Sequence, residues 1–269
     1  MTRPVEIQIL KGVAEQDWAR EIFDIVWPSD EGTQITSNLL QALTHNGSYV
    51  AGAFAGDEIV AAGFAFPGVD ADGHLHLHSH MTAVKAEYRN RSIGSAIKWH
   101  QRDWALAHGY SRITWTFDPL VRRNAKLNLA KLGARAFEYF PDFYGELPDA
   151  LNAGDPTDRA IALWDLNSGR VVEAYENRLA EIEPGDIPVA LEVKDGLPFE
   201  KFVDAKVNTV LCYLPDDIID LRAHDPALAM QWRLALRAQL QPRLDSGWLI
   251  DGFTTDGAYV LIDQEENGI

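Results

Sequence analysis

The sequence is poor in cysteine, in long apolar runs and in positive charge. A single cysteine, Cys212, excludes a disulfide framework and any zinc or iron–sulfur site built from several cysteines. No apolar run reaches the length of a membrane span, so we expect no membrane partner. The net charge of −16 argues against nucleic-acid binding, because phosphate contacts need clustered positive charge. A reducing, cytoplasmic setting fits this composition best.

The 269 residues are 46% apolar and 24% charged, which is ordinary for a globular protein of one large or two modest domains. Hydrophobic periodicity predicts alternating helices and strands over the first 166 residues. The predicted strands are Val5–Leu10, Ser48–Ala55, Glu58–Phe66, His74–Val84, Arg112–Phe117 and Ala160–Leu166, with a hairpin turn at Gly56-Asp57. The predicted helices are Glu15–Val26, a short helix capped by Thr36 or Ser37, Ser92–His108 and Val121–Leu132.

The composition of the chain changes beyond Gly169, where frequent proline and glycine residues divide it into short segments. A Gly/Pro/Asp-rich loop is predicted at Pro148–Asp158, and Asp225-Pro226 is a typical helix start. Apolar residues then recur every four positions, at Leu228, Trp232, Leu236 and Leu240. We therefore predict two domains, 1–168 and a smaller accessory α/β region, 169–269.

A basic, glycine-containing loop lies between the strand that ends at Val84 and the next helix. The start of a helix exposes unpaired N–H groups, and small side chains let an anion approach them. Arg89 and Arg91 add positive charge to this loop. The loop has neither the Gly-Lys-Ser/Thr of a Walker motif nor the three glycines of a dinucleotide fingerprint. The sequence predicts a phosphate or diphosphate site formed by Arg89, Asn90, Arg91, Ser92, Ile93, Gly94 and Ser95.

The run Arg89-Asn90-Arg91-Ser92-Ile93-Gly94 resembles a signature of the GNAT superfamily of N-acyltransferases, which use acyl-coenzyme A. Ser92 stands where the family has its first glycine. A second stretch, from Asn124 to Ala134, resembles the family's Asn-containing helix, with Ala134 in place of an aromatic residue. The resemblance implies a mixed, largely antiparallel sheet with helices on both faces. It also implies that acetyl-CoA or another acyl-CoA is the co-substrate and that the cofactor sits where two parallel strands splay.

Four histidines, His74, His76, His78 and His80, are spaced by two residues and therefore share one face of a strand. They fit a solvated face, a zinc site or a general base. In the GNAT family a catalytic carboxylate often lies about eleven residues before the loop's Arg/Gln, which corresponds to His78. The resemblance implies His78 as the base, with His80 as the second candidate and no metal.

The remaining site residues follow from the same resemblance. Backbone N–H groups near Ala83 and Val84 would polarise the thioester carbonyl, and Asn124 and Asn128 would contact the pantetheine arm. The family's acidic tyrosine is replaced by Leu129, so Tyr139 and Tyr144 are the substitutes to test, with aromatic packing as their alternative role.

The function implied is acyl transfer, of acetyl or alternatively succinyl, to the primary amine of a small molecule such as an amino acid. The stretches Leu77–Met81 and Trp115–Leu120 resemble a subgroup with members connected to the acylation of amino acids. The alternatives are a non-catalytic acyl-CoA-binding module and a histidine-dependent metal hydrolase. The stripe in region 169–269 would pack on the acceptor cleft or on a partner subunit in a homodimer.

Overall fold

The computed structural model describes residues 5–28, 32–145 and 155–264. The chain divides into two compact units, Met1–Trp115 (unit 1) and Thr116–Ile269 (unit 2), which are described separately below. Most of the loop predicted at Pro148–Asp158, residues 148–154, lies outside the described residues. The domain boundary at 168/169 stays a prediction, and residues on both sides of it belong to unit 2.

Unit 1 contains a mixed, largely antiparallel sheet. Its strands are β1 (Glu6–Ile9), β2 (Tyr49–Ala55), β3 (Glu58–Val69), β4 (Leu75–Val84) and β5 (Arg112–Phe117), the last of which continues into unit 2. The strands are adjacent in chain order, antiparallel from β1 to β4 and parallel between β4 and β5. The hairpin predicted at Gly56-Asp57 joins β2 to β3, whereas β4 begins one residue later than predicted, which leaves His74 in a loop.

Helices cover both faces of this sheet, as predicted. They are α1 (Gly12–Val26), α2 (Ser37–His45) and α3 (Ile93–Ala107). Ile22 of α1 and Leu40 of α2 pack with Phe64 on one face, whereas Ile97 of α3 packs with Ala61 in a separate cluster. Each such buried aliphatic side chain contributes roughly 1.5–3 kcal/mol of hydrophobic stabilisation. The packing therefore fixes α3, and with it the basic loop, against β4.

Unit 2 contains a second run of mixed strands. They are β6 (Arg135–Phe140), β7 (Arg159–Asp165), β8 (Val189–Lys194), β9 (Leu197–Glu200), β10 (Thr209–Tyr213), β11 (Trp248–Phe253) and β12 (Ala258–Asp263). Their spatial order is β7-β6-β11-β12-β10-β8-β9, and only the β10–β8 pair is parallel among the pairs described. The sequence pattern did not predict β6, β8 and β9, although Asp195-Gly196, a typical hairpin turn, joins β8 to β9.

The helices of unit 2 are α4 (Arg122–Ala125), which continues as a π-helical stretch at Lys126–Lys131, α5 (Gly169–Tyr175), α6 (Ile218–His224) and α7 (Pro226–Asp245). The predicted cap of α7 is confirmed, because Asp225 Oδ1 accepts from Leu228 N at 3.0 Å. Trp232, Leu236 and Leu240 are fully buried, and α7 packs against β6, β9 and β11. The apolar stripe is thus covered within unit 2, so its burial requires neither a partner subunit nor the acceptor cleft.

A cluster of charged side chains lies in the interior of unit 2. Arg233 of α7 contacts both carboxylate oxygens of Asp118, at 2.9 and 3.0 Å, and Arg222 of α6 contacts Asp118 at 2.5 Å. Both guanidinium groups also reach Asp155 Oδ2 at 2.8 Å. Burial alone would raise the pKa of Asp118, but the two arginines outweigh burial and hold that pKa well below its usual value. This cluster ties residues after 168 to residues before it.

Candidate active site

The loop between β4 and α3 holds the predicted anion-binding residues in an unusual backbone conformation. Asn90 and Ser92 have φ angles of 61° and 59°, in the left-handed region that favours glycine. This conformation accounts for the glycine that the resemblance places at position 92. Arg89 Nε bends back to Val84 O at 3.4 Å, and the Arg91 guanidinium lies 5.0 Å from the centre of the Tyr88 ring.

The first turn of α3 is open to an approaching anion. A helix leaves its first backbone N–H groups without partners inside the helix, and the Ser92 side chain does not cap them. A Cβ atom added at Gly94 would meet only Val84 Cγ2, at 3.9 Å, so the space beside this backbone is free. These N–H groups and the positive end of the helix dipole suit a phosphate or diphosphate.

Strands β4 and β5 stop pairing after two residue pairs. Leu77 faces Ile113 and His78 faces Thr114, and no further pair joins the two strands within the described residues. One position further, Ser79 on β4 and Trp115 on β5 flank the point of divergence. The parallel neighbours therefore splay as the resemblance implies, and the edge of β4 beyond His78 is left without a strand partner.

The two backbone N–H groups predicted to bind the thioester carbonyl, those of Ala83 and Val84, point to opposite edges of β4. Lys85 N donates to Val60 O of β3 at 3.0 Å, and successive N–H groups of a strand point to opposite edges. The N–H of Ala83 is therefore directed to β3, whereas that of Val84 is directed to the open edge. Of the two predicted positions, only Val84 places its backbone donor toward the splay.

A β-bulge at His80 interrupts the regular alternation of side chains along β4. Ser79 is opposite Ala65 and Met81 is opposite Phe64, so His80 is the extra residue on β4. The rings of His78 and His80 lie on one face, 6.0 Å apart, and pack around Phe66 at 5.1 and 5.7 Å. The structure thus brings the two candidate bases together beside the splay.

His78 is half-buried and His80 is more exposed. Burial lowers the pKa of His78 to about 4, with His80, His76 and Lys98 adding to the effect. Desolvation also lowers the pKa of His80. His78 Nδ1 lies 3.1 Å from Thr114 Oγ1, which leaves Nε2 as the ring nitrogen free to accept a proton when Nδ1 carries the hydrogen.

His74 lies apart from this pair, whereas His76 lies on β4 two residues before His78. His74 is exposed in the loop and contacts Asp70 Oδ2 at 3.3 Å. Among the described residues, three ligand atoms come within reach of one ion only at Asp70, Asp72 and His74, which are largely exposed. His78 and His80 are not part of that group.

Lys98 is a site residue that the sequence pattern did not predict. It lies on α3 and is 6% exposed, and its Nζ donates to Ser79 Oγ at 2.7 Å. The same atom lies 4.0 Å from the centre of the Trp115 ring. The available signal was its position next to Ile97 on the apolar face of a helix, where a lysine is rarely buried.

The remaining candidates belong to unit 2. Asn124 is half-buried and Asn128 is buried, in α4 and in the π-helical stretch that follows it. The Tyr144 hydroxyl lies 2.8 Å from Thr116 Oγ1, and Arg159 lies over its ring at 5.3 Å. The Tyr139 hydroxyl donates to Asp158, and burial together with this carboxylate raises the pKa of Tyr139 far above its usual value. Tyr139 is therefore a poor proton donor.

Comparison with known proteins assigns part of the chain to a family. Residues 14–134 match the model of the Acetyltransferase (GNAT) family. A search of curated proteins found no match to the sequence. Every helix within the described ranges is too short or too polar to cross a membrane.

Several solved structures align with about three-fifths of this chain. A GNAT-family acetyltransferase from Streptococcus pneumoniae has a TM-score of 0.49 at 14% identity and covers 60% of this chain and 98% of its own. The ribosomal-protein-S18-alanine N-acetyltransferase from Escherichia coli has a TM-score of 0.47 at 14% identity, with coverages of 62% and 96%. Arabidopsis thaliana Naa50, in complex with the bisubstrate analogue CoA-Ac-MVNAL, has a TM-score of 0.46 at 15% identity, with coverages of 59% and 97%.

The family match begins within α1 and covers α2, β2 to β5 and α3, so it includes both the first turn of α3 and the splay beside His78. Members of this family use acetyl-CoA or another acyl-CoA as co-substrate. Residues 14–134 of this chain are accordingly an acetyltransferase domain of the GNAT family.

Proposed function

We propose that the protein transfers an acyl group from acyl-CoA to the primary amine of a small molecule such as an amino acid. The observation that supports this proposal is that unit 1 places the open first turn of α3 next to a splayed strand pair and two histidines. A loop that bound only a diphosphate would not need a polar, half-buried face at the splay. Acetyl is the donor group we favour, with succinyl as the alternative.

The residues of unit 1 fit an acyl-CoA. The open first turn of α3, around Gly94 and Ser95, would hold the diphosphate, with Arg89 and Arg91 supplying charge. The bound donor supplies an acyl group activated as a thioester. The backbone N–H of Val84, directed to the open edge of β4, would donate to the carbonyl oxygen of that thioester.

His78 would accept a proton from the amine. Because its pKa is about 4, the imidazole is uncharged at neutral pH, and Nε2 carries a lone pair when Nδ1–H donates to Thr114. A base this weak holds a proton only briefly, so we propose that it passes the proton on to solvent past the more exposed His80. His80 is the alternative base.

Further parts of the proposal rest on unit 2 and on composition. Asn124 and Asn128 would contact the pantetheine arm, and Tyr144 remains a candidate acid. We propose a cytoplasmic location from the single cysteine and a small-molecule acceptor from the resemblance to a subgroup connected with the acylation of amino acids. A homodimer is the oligomeric state to test.

The experiment is an assay of thiol release with acetyl-CoA and succinyl-CoA against amino acids, small amines and peptides. We expect turnover with small amines. His78→Ala should lower kcat by about 10²–10⁴-fold while CoA affinity is unchanged, because a positioned base contributes on that order. His74→Ala, which removes an exposed loop histidine, is the matched control and should be fully active.

Three outcomes would redirect the proposal. Thiol release unaffected by both His78→Ala and His80→Ala would remove the histidines from the mechanism. CoA binding without thiol release for any amine would favour the non-catalytic module. Hydrolysis that depends on an added metal ion would favour the hydrolase.

A further inference from the structure

Lys98 is a buried cation with few partners. Its Nζ makes one hydrogen bond, to Ser79 Oγ, and rests on the Trp115 ring. An ammonium group carries three N–H donors, so two of them have no hydrogen-bond acceptor among the described residues. No carboxylate of the described residues forms an ion pair with Lys98.

This environment is costly for a residue that serves packing alone. Taking an ammonium group out of water without a counter-ion is strongly unfavourable, and a methionine would fill similar space without that cost. Burial accordingly lowers the pKa of Lys98 to about 7, so the amine gains and loses its proton near neutral pH. Groups with that behaviour inside a cleft are characteristic of functional sites.

The position of Lys98 connects it to the reaction. Ser79 and Trp115, its two contacts, are the first residues beyond the last pair of β4 and β5. The ammonium group therefore sits at the apex of the splay, on the α3 face. The titratable groups near it are the histidines of β4, of which His78 is close enough for Lys98 to lower its pKa, and Arg102 one turn further along α3.

We propose that Lys98 is a catalytic residue that stabilises the negative charge on the departing sulfur of the acyl donor and gives that sulfur its proton. The inference rests on the proposed function, because it assigns a role at the same splay. Lys98 would supply the proton that the family resemblance assigns to a tyrosine. In this chain Leu129 stands at the position of that tyrosine.

The proton and electron balance closes without another reactant. The amine nitrogen bonds to the carbonyl carbon, the carbon–sulfur bond breaks, and its electron pair goes to sulfur. Lys98 Nζ gives one proton to sulfur and becomes neutral. The protonated amine loses two protons in forming the amide, of which one returns to Lys98 through solvent and the other is released.

The direct test is the ionisation of free CoA bound to the protein, followed by the ultraviolet absorbance of its thiolate as pH is raised. A cation beside the sulfur lowers the pKa of the thiol by about 1–3 units. Because the pKa of Lys98 is itself about 7, this effect is present only while the ammonium group is charged. We therefore expect the thiolate fraction at pH 7 to be at least about 5-fold larger in the wild-type complex than in the Lys98→Met complex, and the two titration curves to converge as pH rises. Lys206→Met, which removes an exposed lysine, is the control and should match the wild type.

A second measurement needs no variant. The Lys98 ammonium can be titrated by nitrogen-detected NMR in the wild-type protein with and without CoA, and its pKa should rise when the thiolate is beside it. In the assay with the accepted amine, Lys98→Met should lower kcat by roughly 10²-fold, and Tyr144→Phe should have a far smaller effect.

A thiolate fraction at pH 7 that is unchanged in Lys98→Met, or a Lys98 pKa that CoA leaves unchanged, would overturn the assignment. So would a loss of kcat in Tyr144→Phe that equals the loss in Lys98→Met. Both titrations proceed without an acceptor. Failure to find an amine substrate would therefore count against the proposed function alone, and the two titrations would still decide the role of Lys98.

Discussion

The two units bury charge in opposite ways. In unit 2, Asp118 is surrounded by the guanidinium groups of Arg222 and Arg233, which also share Asp155. In unit 1, Lys98 is buried against a hydroxyl group and an indole ring. The first arrangement satisfies each charge with an opposite one, and the second leaves a cation that can change its protonation state.

This difference separates a structural from a functional use of buried charge. Removing one member of a set of buried ion pairs leaves the other charges without a partner, so we expect such a substitution to destabilise the fold. Removing an unpaired charge relieves a desolvation cost and is expected to stabilise the fold while impairing function. Substitution of a buried charge should therefore destabilise the fold in unit 2 and stabilise it in unit 1.

The largest effect is expected in unit 2. Arg233→Met removes the bidentate partner of Asp118 and leaves that buried carboxylate with the guanidinium group of Arg222 and the backbone N–H of Leu120. The loss should be about 3–5 kcal/mol in the free energy of unfolding, measured by urea titration. Because Asp118 and Asp155 precede residue 168 and Arg233 follows it, this loss would also show that region 169–269 supports the rest of unit 2.

The control for this substitution is an ion pair at the surface of the same unit. Arg178 pairs with Glu176 but is exposed, so Arg178→Met should leave the urea midpoint almost unchanged. An equally small change in Arg233→Met would mean that the buried cluster contributes little, and the contrast between the units would be lost.

A smaller and opposite effect is expected in unit 1. The pKa of Lys98 is about 7 in the folded protein, against roughly 10.4 for an unperturbed lysine. Between these values the unfolded chain binds more protons, so the contribution of Lys98 to stability improves as pH rises. Well below pH 7, both states are charged and the desolvation cost is present in full.

Lys98→Met should therefore have a higher Tm than the wild type, with the widest gap well below pH 7 and a vanishing gap near pH 10. Comparing the two proteins at each pH cancels the titration of groups that they share. A lower Tm for Lys98→Met at every pH would show that the lysine is a structural element and that the comparison between the units is mistaken.

The sequence predicted the parts of the site that depend on local pattern. Helix α3 and its start near Ser92 follow from apolar periodicity, and the fold class was implied by the resemblance to the GNAT family. The two-residue spacing of His78 and His80 placed them on one face. The family match and the topology confirm the fold, and the site roles stay predictions.

Other features depend on pairing between strands, which sequence pattern does not specify. The bulge at His80 arises from the register of β4, and so does the direction of the Ala83 N–H toward β3. The burial of Lys98 depends on which face of α3 meets the splay. Asp158, nineteen residues away in sequence, accepts a hydrogen bond from the Tyr139 hydroxyl, and this contact, which the sequence pattern does not specify, argues against an acid role for Tyr139.

The central claim, that the start of α3 binds the diphosphate of an acyl-CoA, is tested most directly by calorimetry of CoA with Gly94→Val. A Cβ at this position touches only Val84 in the free protein, so the fold should tolerate it while the approach of an anion is blocked. Gly169→Val, at the start of α5 with equally open space, is the matched control. We predict binding to the wild type and to Gly169→Val and severe weakening in Gly94→Val, and equal affinity in all three proteins would contradict the claim.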